Sequence, residues 1–199
     1  MNKGLSTLLA PWTSLSAASP RLRSGAIILA ASALVAVCSH IAVPLWFTPV
    51  PLTLQTFAVF LVGLLLPPGL AAAALCTYLA EGAAGLPVFA PGPALTAGVA
   101  HLLGPTGGYL LSYPAAATVL SFLWRRSSRD LTAALATSAL GNSIILICGA
   151  SWLAVFAHVA AGPAIGLGIL PFLPGDALKV IAAAALATGF WRRHQKAQN

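Results

Sequence analysis

From Ser24 to Trp124 the chain carries one formal charge, Glu81, and from Leu131 to Trp191 it carries only Asp176 and Lys179. A soluble domain with that pattern would expose a continuous apolar surface and would not stay in solution. The chain is therefore read as an integral membrane protein, in keeping with 59% hydrophobic and 7% charged residues and a mean hydropathy of +0.92, far from soluble averages. An ionisable group inside a membrane is costly and needs a reason, so Glu81, Asp176 and Lys179 become the first candidates for function.

The apolar runs are continuous and rich in Ala and Leu instead of alternating, which argues for helices over a β-barrel. Expected helices cover 24–43, 54–66, 69–86, 106–124, 131–157 and 170–190, separated by Pro and Gly clusters such as Pro67-Pro68-Gly69 and Pro174-Gly175. Basic residues flank these runs: Lys3, Arg21 and Arg23 before the first, Arg125, Arg126 and Arg129 after the fourth, Arg192, Arg193 and Lys196 after the last. If basic clusters stay cytoplasmic, even numbers of crossings separate them. The fold expected is thus an all-α membrane protein of six transmembrane helices with both termini cytoplasmic. A polar leader (1–23), a membrane domain (24–191) and a basic tail (192–199) complete the organisation. The connections 44–53, 87–105 and 158–169 then lie outside, and the three rare charges are expected in the outer half of the membrane.

The net charge of +7 could suggest nucleic acid, but the basic residues sit in small groups beside apolar runs, as the positive-inside pattern requires. Cys38, Cys76 and Cys148 lie in separate apolar stretches and read as packing residues, and the histidines show no metal-ligand spacing. No Ser or Cys is paired with a base, so an enzyme is not expected.

Asp176 and Lys179 are three residues apart and share a helix face. They form either an internal ion pair that fixes helix packing or a polar ligand site, in which Lys179 meets an anion and Asp176 accepts from N–H donors. Glu81 is either a carboxylate snorkelling from a helix end or the opposite wall of the same pocket. Gly104-Pro105-Thr106-Gly107-Gly108-Tyr109 lacks the lysine of a phosphate loop; its paired glycines admit either a ligand or a neighbouring helix. Small residues recur at four-residue spacing in the first helix, Ala26/Ala30 and Ser32/Ala36, as in close helix contacts.

Pro49 through Thr56, Gly82 through Phe89, Gly104 through Tyr109, and Pro174-Gly175-Asp176 with Lys179 together resemble the BioY family, over roughly residues 24–190. These are the biotin-specific S components of energy-coupling factor (ECF) transporters, multi-pass proteins of the cytoplasmic membrane. The resemblance implies six transmembrane helices with both termini inside, no cofactor, and biotin as the ligand. It also implies association with a transmembrane coupling protein and two ATPase subunits, which would handle ATP. Carried over by motif, Asp176, Lys179 and Glu81 are expected to bind ligand, Phe89 and Tyr109 to wall its apolar ring, and Gly107 and Gly108 to bring backbone amides close. Small residues of the first helix, Ala26, Ala30, Ser32 and Ala36, are expected to meet the coupling protein. The alternative class is a stand-alone secondary carrier or facilitator, for which neither internal repeats nor broken helices are evident.

Overall fold

A computed structural model describes residues 19–91 and 98–196. The expectations for Lys3 and the rest of the leader up to residue 18, for residues 92–97 of the third connection and for the last three residues of the tail lie outside the described residues.

Six helices fall on the six expected apolar runs: α1 (Pro20–His40), α2 (Gln55–Leu65), α3 (Pro68–Ala83), α5 (Gly107–Arg126), α6 (Leu131–Phe156) and α8 (Leu173–Lys196). Their starts follow from the sequence. The Ser19 hydroxyl accepts from the Leu22 N–H at 3.4 Å at the head of α1, and the Asp130 carboxylate accepts from the Ala133 N–H at 2.8 Å at the head of α6. That backbone bond, with the Ser128 hydroxyl, holds the exposed Asp130 carboxyl below its ordinary range. Pro20 and Pro68 occupy first turns, where a missing N–H costs nothing.

By length and composition, α1, α6 and α8 can each cross a membrane. The eleven-residue α2 rises only about 16 Å against a hydrocarbon core of about 30 Å. Its shortness shapes the molecule. The space beyond its first residue, Gln55, is filled by a small antiparallel ladder between β1 (Ala42–Val43) and β2 (Leu52–Thr53), with Ala42 opposite Thr53. Strand β1 replaces the end of the expected first helix (24–43), and the short helices α4 (Val99–Leu102) and α7 (Ala161–Gly168) lie inside the connections 87–105 and 158–169.

Packing centres on α2 and α5. Helix α5 lies against α6, α3 and α2, while α8 joins α6 to α2 and α1 covers α3 and α2. Close approach depends on small residues: Ala58, Ala71, Ala74, Ala116, Ala117, Ala134, Ala183 and Ala184 are all buried. Leu120 of α5 is wedged between α2 and α6, since a Cβ at Gly63 or Gly141 would come within 3.0 and 3.2 Å of its methyl groups. Large apolar side chains face outward instead, among them Leu29, Val37, Ile147, Val155, Ile181 and Leu186. This inverted surface is what a lipid environment selects. Cys76 and Cys148 share it, and only Cys38 is a buried packing residue.

Candidate functional site

At the end of the bundle where α2, α5 and α8 begin, a cleft encloses about 530 Å³ of atom-free space, part of it open to solvent. Ile145 and Leu146 of α6, Phe172 and Tyr109 are among the residues that line it. Most of this lining is apolar. Among the polar residues that interrupt it, Thr56 at the start of α2 and Asp176 and Lys179 in the first two turns of α8 form a cluster.

In that cluster the Lys179 ammonium donates to Asp176 Oδ1 at 2.9 Å and to Thr56 Oγ1 at 3.1 Å. Thr56 in turn donates to Asp176 Oδ1 at 3.4 Å. The two charged side chains are only 10% and 3% exposed. Asp176 sits in the first turn of α8, where the free N–H groups favour a carboxylate. Because the pair is internally neutralised, the cleft floor offers polar contacts without net charge.

A second chain of hydrogen bonds supports the floor. Tyr113 donates to Gln55 Oε1 at 3.2 Å, Gln55 donates through Nε2 to Tyr78, and Tyr78 donates to the Val88 carbonyl at 3.0 Å. Tyr109 is fixed by donating to the Gly168 carbonyl at 2.6 Å. Pro114 within α5 has no N–H for the Leu110 carbonyl, and Leu110 lines the cleft.

Of the residues expected at a ligand site, Asp176, Lys179 and Tyr109 line the cleft. Four do not. Glu81 is turned away to accept a hydrogen bond from Ser32, tying α3 to α1, so the opposite-wall reading is corrected. Phe89 lies one layer back, edge-on to Tyr78 and stacked on His101 at 4.9 Å, in a space that a Cβ at Gly82 would fill. Gly107 and Gly108 are points of close contact with other parts of the protein. A Cβ at Gly107 would lie 2.0 Å from the Leu102 carbonyl, and one at Gly108 would lie 2.2 Å from Trp152 Cβ.

The four small residues of α1 also divide. Ala26 and Ala30 are exposed, Ala36 is half-buried, and Ser32 is fully buried against Glu81. Ser32 is therefore withdrawn from any partner-facing surface. The sequence reasoning missed Gln55, Thr56, Tyr113, His101 and Phe172. A signal existed for the first two, because Gln55 and Thr56 are polar residues inside an otherwise apolar run and within a quoted motif.

Comparison with known proteins then gives four findings. The BioY family model matches residues 10–196. A probable biotin transporter BioY of Pyrococcus horikoshii is 43% identical over 139 residues, 70% of this chain and 79% of that protein. The biotin transporter BioY of Thermotoga maritima is 37% identical over 156 residues, 78% and 88% of the two chains. In three dimensions the chain superposes on a crystal structure of the S-component for biotin from an ECF-type ABC transporter. The TM-score is 0.78 at 23% identity, covering 86% of this chain and 92% of that one, which establishes a shared fold.

Proposed function

The chain belongs to the BioY family, and from that premise we propose that it captures biotin at the outer face of the cytoplasmic membrane as the S component of an ECF-type transporter. It is a membrane transport protein, not an enzyme. The observation that carries the site assignment is the buried Asp176–Lys179–Thr56 cluster at the floor of an apolar cleft. The ureido ring of biotin has two N–H donors and one carbonyl. Asp176 accepts from the donors and Lys179 donates to the carbonyl, with Phe172, Ile145, Leu146 and Tyr109 around the apolar thiophane ring. Lys179 thus meets the ring of the ligand in place of an anion, because the ammonium is already matched by Asp176.

The six helices supply six crossings in this proposal, with the leader (1–23) and the basic tail (192–199) inside and the membrane domain (24–191) between them. Reporter fusions after Lys196 and beside Arg126 should both report cytoplasm. An external signal from either breaks the six-crossing arrangement.

ATP is handled by two partner ATPase subunits through a coupling protein, which meets the exposed Ala26/Ala30 face of α1. Close helix contact in lipid rests on small side chains. Purified protein alone should therefore bind biotin in equilibrium dialysis. Ala30→Trp should keep that binding but lose ATP-driven uptake in cells carrying the coupling module. A wild-type protein that fails to bind biotin sinks the function; loss of binding by Ala30→Trp instead returns that face to internal packing.

A further inference from the structure

The end of the bundle opposite the cleft carries an unbalanced charge. Arg125 and Arg126 close α5, Arg129 stands in the turn to α6, and Arg192, Arg193 and Lys196 lie at the end of α8. The whole chain has three acidic side chains. Glu81 is bonded to Ser32 and Asp176 to Lys179, which leaves Asp130 alone to face six cations. Asp130 itself already accepts from the Ala133 N–H and the Ser128 hydroxyl, both at 2.8 Å. Among the described residues none of the six cations is salt-bridged. The acidic side chains of the chain cannot neutralise them.

Two stacked guanidinium groups gather this charge and fix its geometry. That of Arg129 lies over the Trp191 ring at 4.4 Å and donates to the Arg125 carbonyl at 3.4 Å, which ties the α5–α6 turn to the end of α8. That of Arg126 lies over the Phe122 ring at 4.1 Å. Arg192 is close enough to act through its charge on Asp130, in the same turn. Keeping a basic cluster on one side of a membrane requires charge alone. A stacked guanidinium also presents a fixed edge of N–H donors, which suits a phosphate. Phe122 and Phe190 are exposed beside these cations, so basic and apolar surface adjoin as headgroup and acyl chain do. The coupling-protein face proposed above belongs to α1, which packs on α3 and α2, whereas this corner is made by α5, α6 and α8.

We infer that the corner formed by Arg125, Arg126, Arg129 and Arg192 is a docking site for an anionic phospholipid, whose phosphate meets the guanidinium edges while its chains lie along Phe122 and Phe190. Such docking is independent of what the cleft binds. A basic residue beside an anionic lipid surface is worth about fivefold in affinity, so removing two should cost about thirtyfold.

The test is titration of the purified protein in detergent with phosphatidylglycerol and, separately, with phosphatidylcholine, with bound lipid counted by native mass spectrometry. Wild type should prefer phosphatidylglycerol. Arg129→Gln/Arg192→Gln should bind it about thirtyfold more weakly and lose the preference. Arg21→Gln/Arg23→Gln removes the same charge from the start of α1 and should bind it like wild type. Equal binding of the two lipids by wild type overturns the inference without reference to any variant. An equal loss in both double variants overturns it too, since total charge would then be enough. Displacement of the lipid by glycerol phosphate at similar concentration makes the corner a site for a free phosphate and not for a lipid. If Arg129→Gln/Arg192→Gln keeps its phosphatidylglycerol but no longer co-purifies with the coupling protein, the corner is a protein contact and the inference falls.

Discussion

Asp176→Asn should weaken biotin binding by about thirtyfold to several thousandfold, the equivalent of about 2–5 kcal/mol for breaking a buried charge-assisted contact. The substitution preserves shape while removing the charge and turning one acceptor into a donor. In the free protein it leaves the Lys179 ammonium, 10% exposed, without its counter-charge. In the complex it also replaces a two-oxygen acceptor by a group that offers one acceptor and two donors to the ligand's N–H groups. Weakened binding alone does not separate a ligand contact from a packing ion pair. The double variant Asp176→Asn/Lys179→Met does. Removing both charges of a buried pair is often neutral or stabilising, whereas removing one strands the other. The double variant should therefore recover the thermal midpoint lost by Asp176→Asn, measured in detergent, without recovering biotin affinity. Recovery of both would make Asp176 and Lys179 a structural pair only.

The sequence made the helices legible because lipid imposes a simple rule. Apolar runs must be helical, and Pro and Gly clusters must lie between them. The same rule hid the rotation of each helix. In α1 an outward Ala26 and an inward Ser32 look alike, because core and lipid are equally apolar and no amphipathic stripe separates them. Glu81 was misplaced for that reason: its height in the bundle could be read, its direction could not. Asp176 and Lys179 escaped the ambiguity because their three-residue spacing ties them to one face whatever the rotation. The cleft itself was only partly legible. Val50, Pro51 and Thr53 of its lining fall in or beside the eight residues between the two strands, a stretch too short to show periodicity. His101 was invisible for a related reason, since a four-residue helix is too short to leave a pattern.

The glycine pair shows how a shared signal can have two meanings, and one substitution separates them. Gly108→Ala should destabilise the whole protein, because the new Cβ would lie 2.2 Å from Trp152 Cβ and 2.6 Å from the Cys148 carbonyl oxygen. Neither atom can move by changing a rotamer; Cβ and carbonyl positions follow the backbone of α6. The clash is relieved only by prising α5 from α6, the pair of helices that also carries Tyr109, Ile145 and Leu146 of the cleft. Overpacking of this kind costs about 1–3 kcal/mol or more, which for a chain of this size lowers the thermal midpoint by roughly 2–12 °C. The shift also pulls on the bond from Trp152 Nε1 to the Gly104 carbonyl, 2.8 Å long, which pins the turn between α4 and α5. Biotin binding should therefore fall together with stability. Gly69→Ala is the control, because nothing lies within 4 Å of a Cβ there and alanine favours the helix by up to about 1 kcal/mol. If the pair had served to bring amides to the ligand, Gly108→Ala would melt like wild type and lose only affinity. A normal melting point with lost binding would restore that reading.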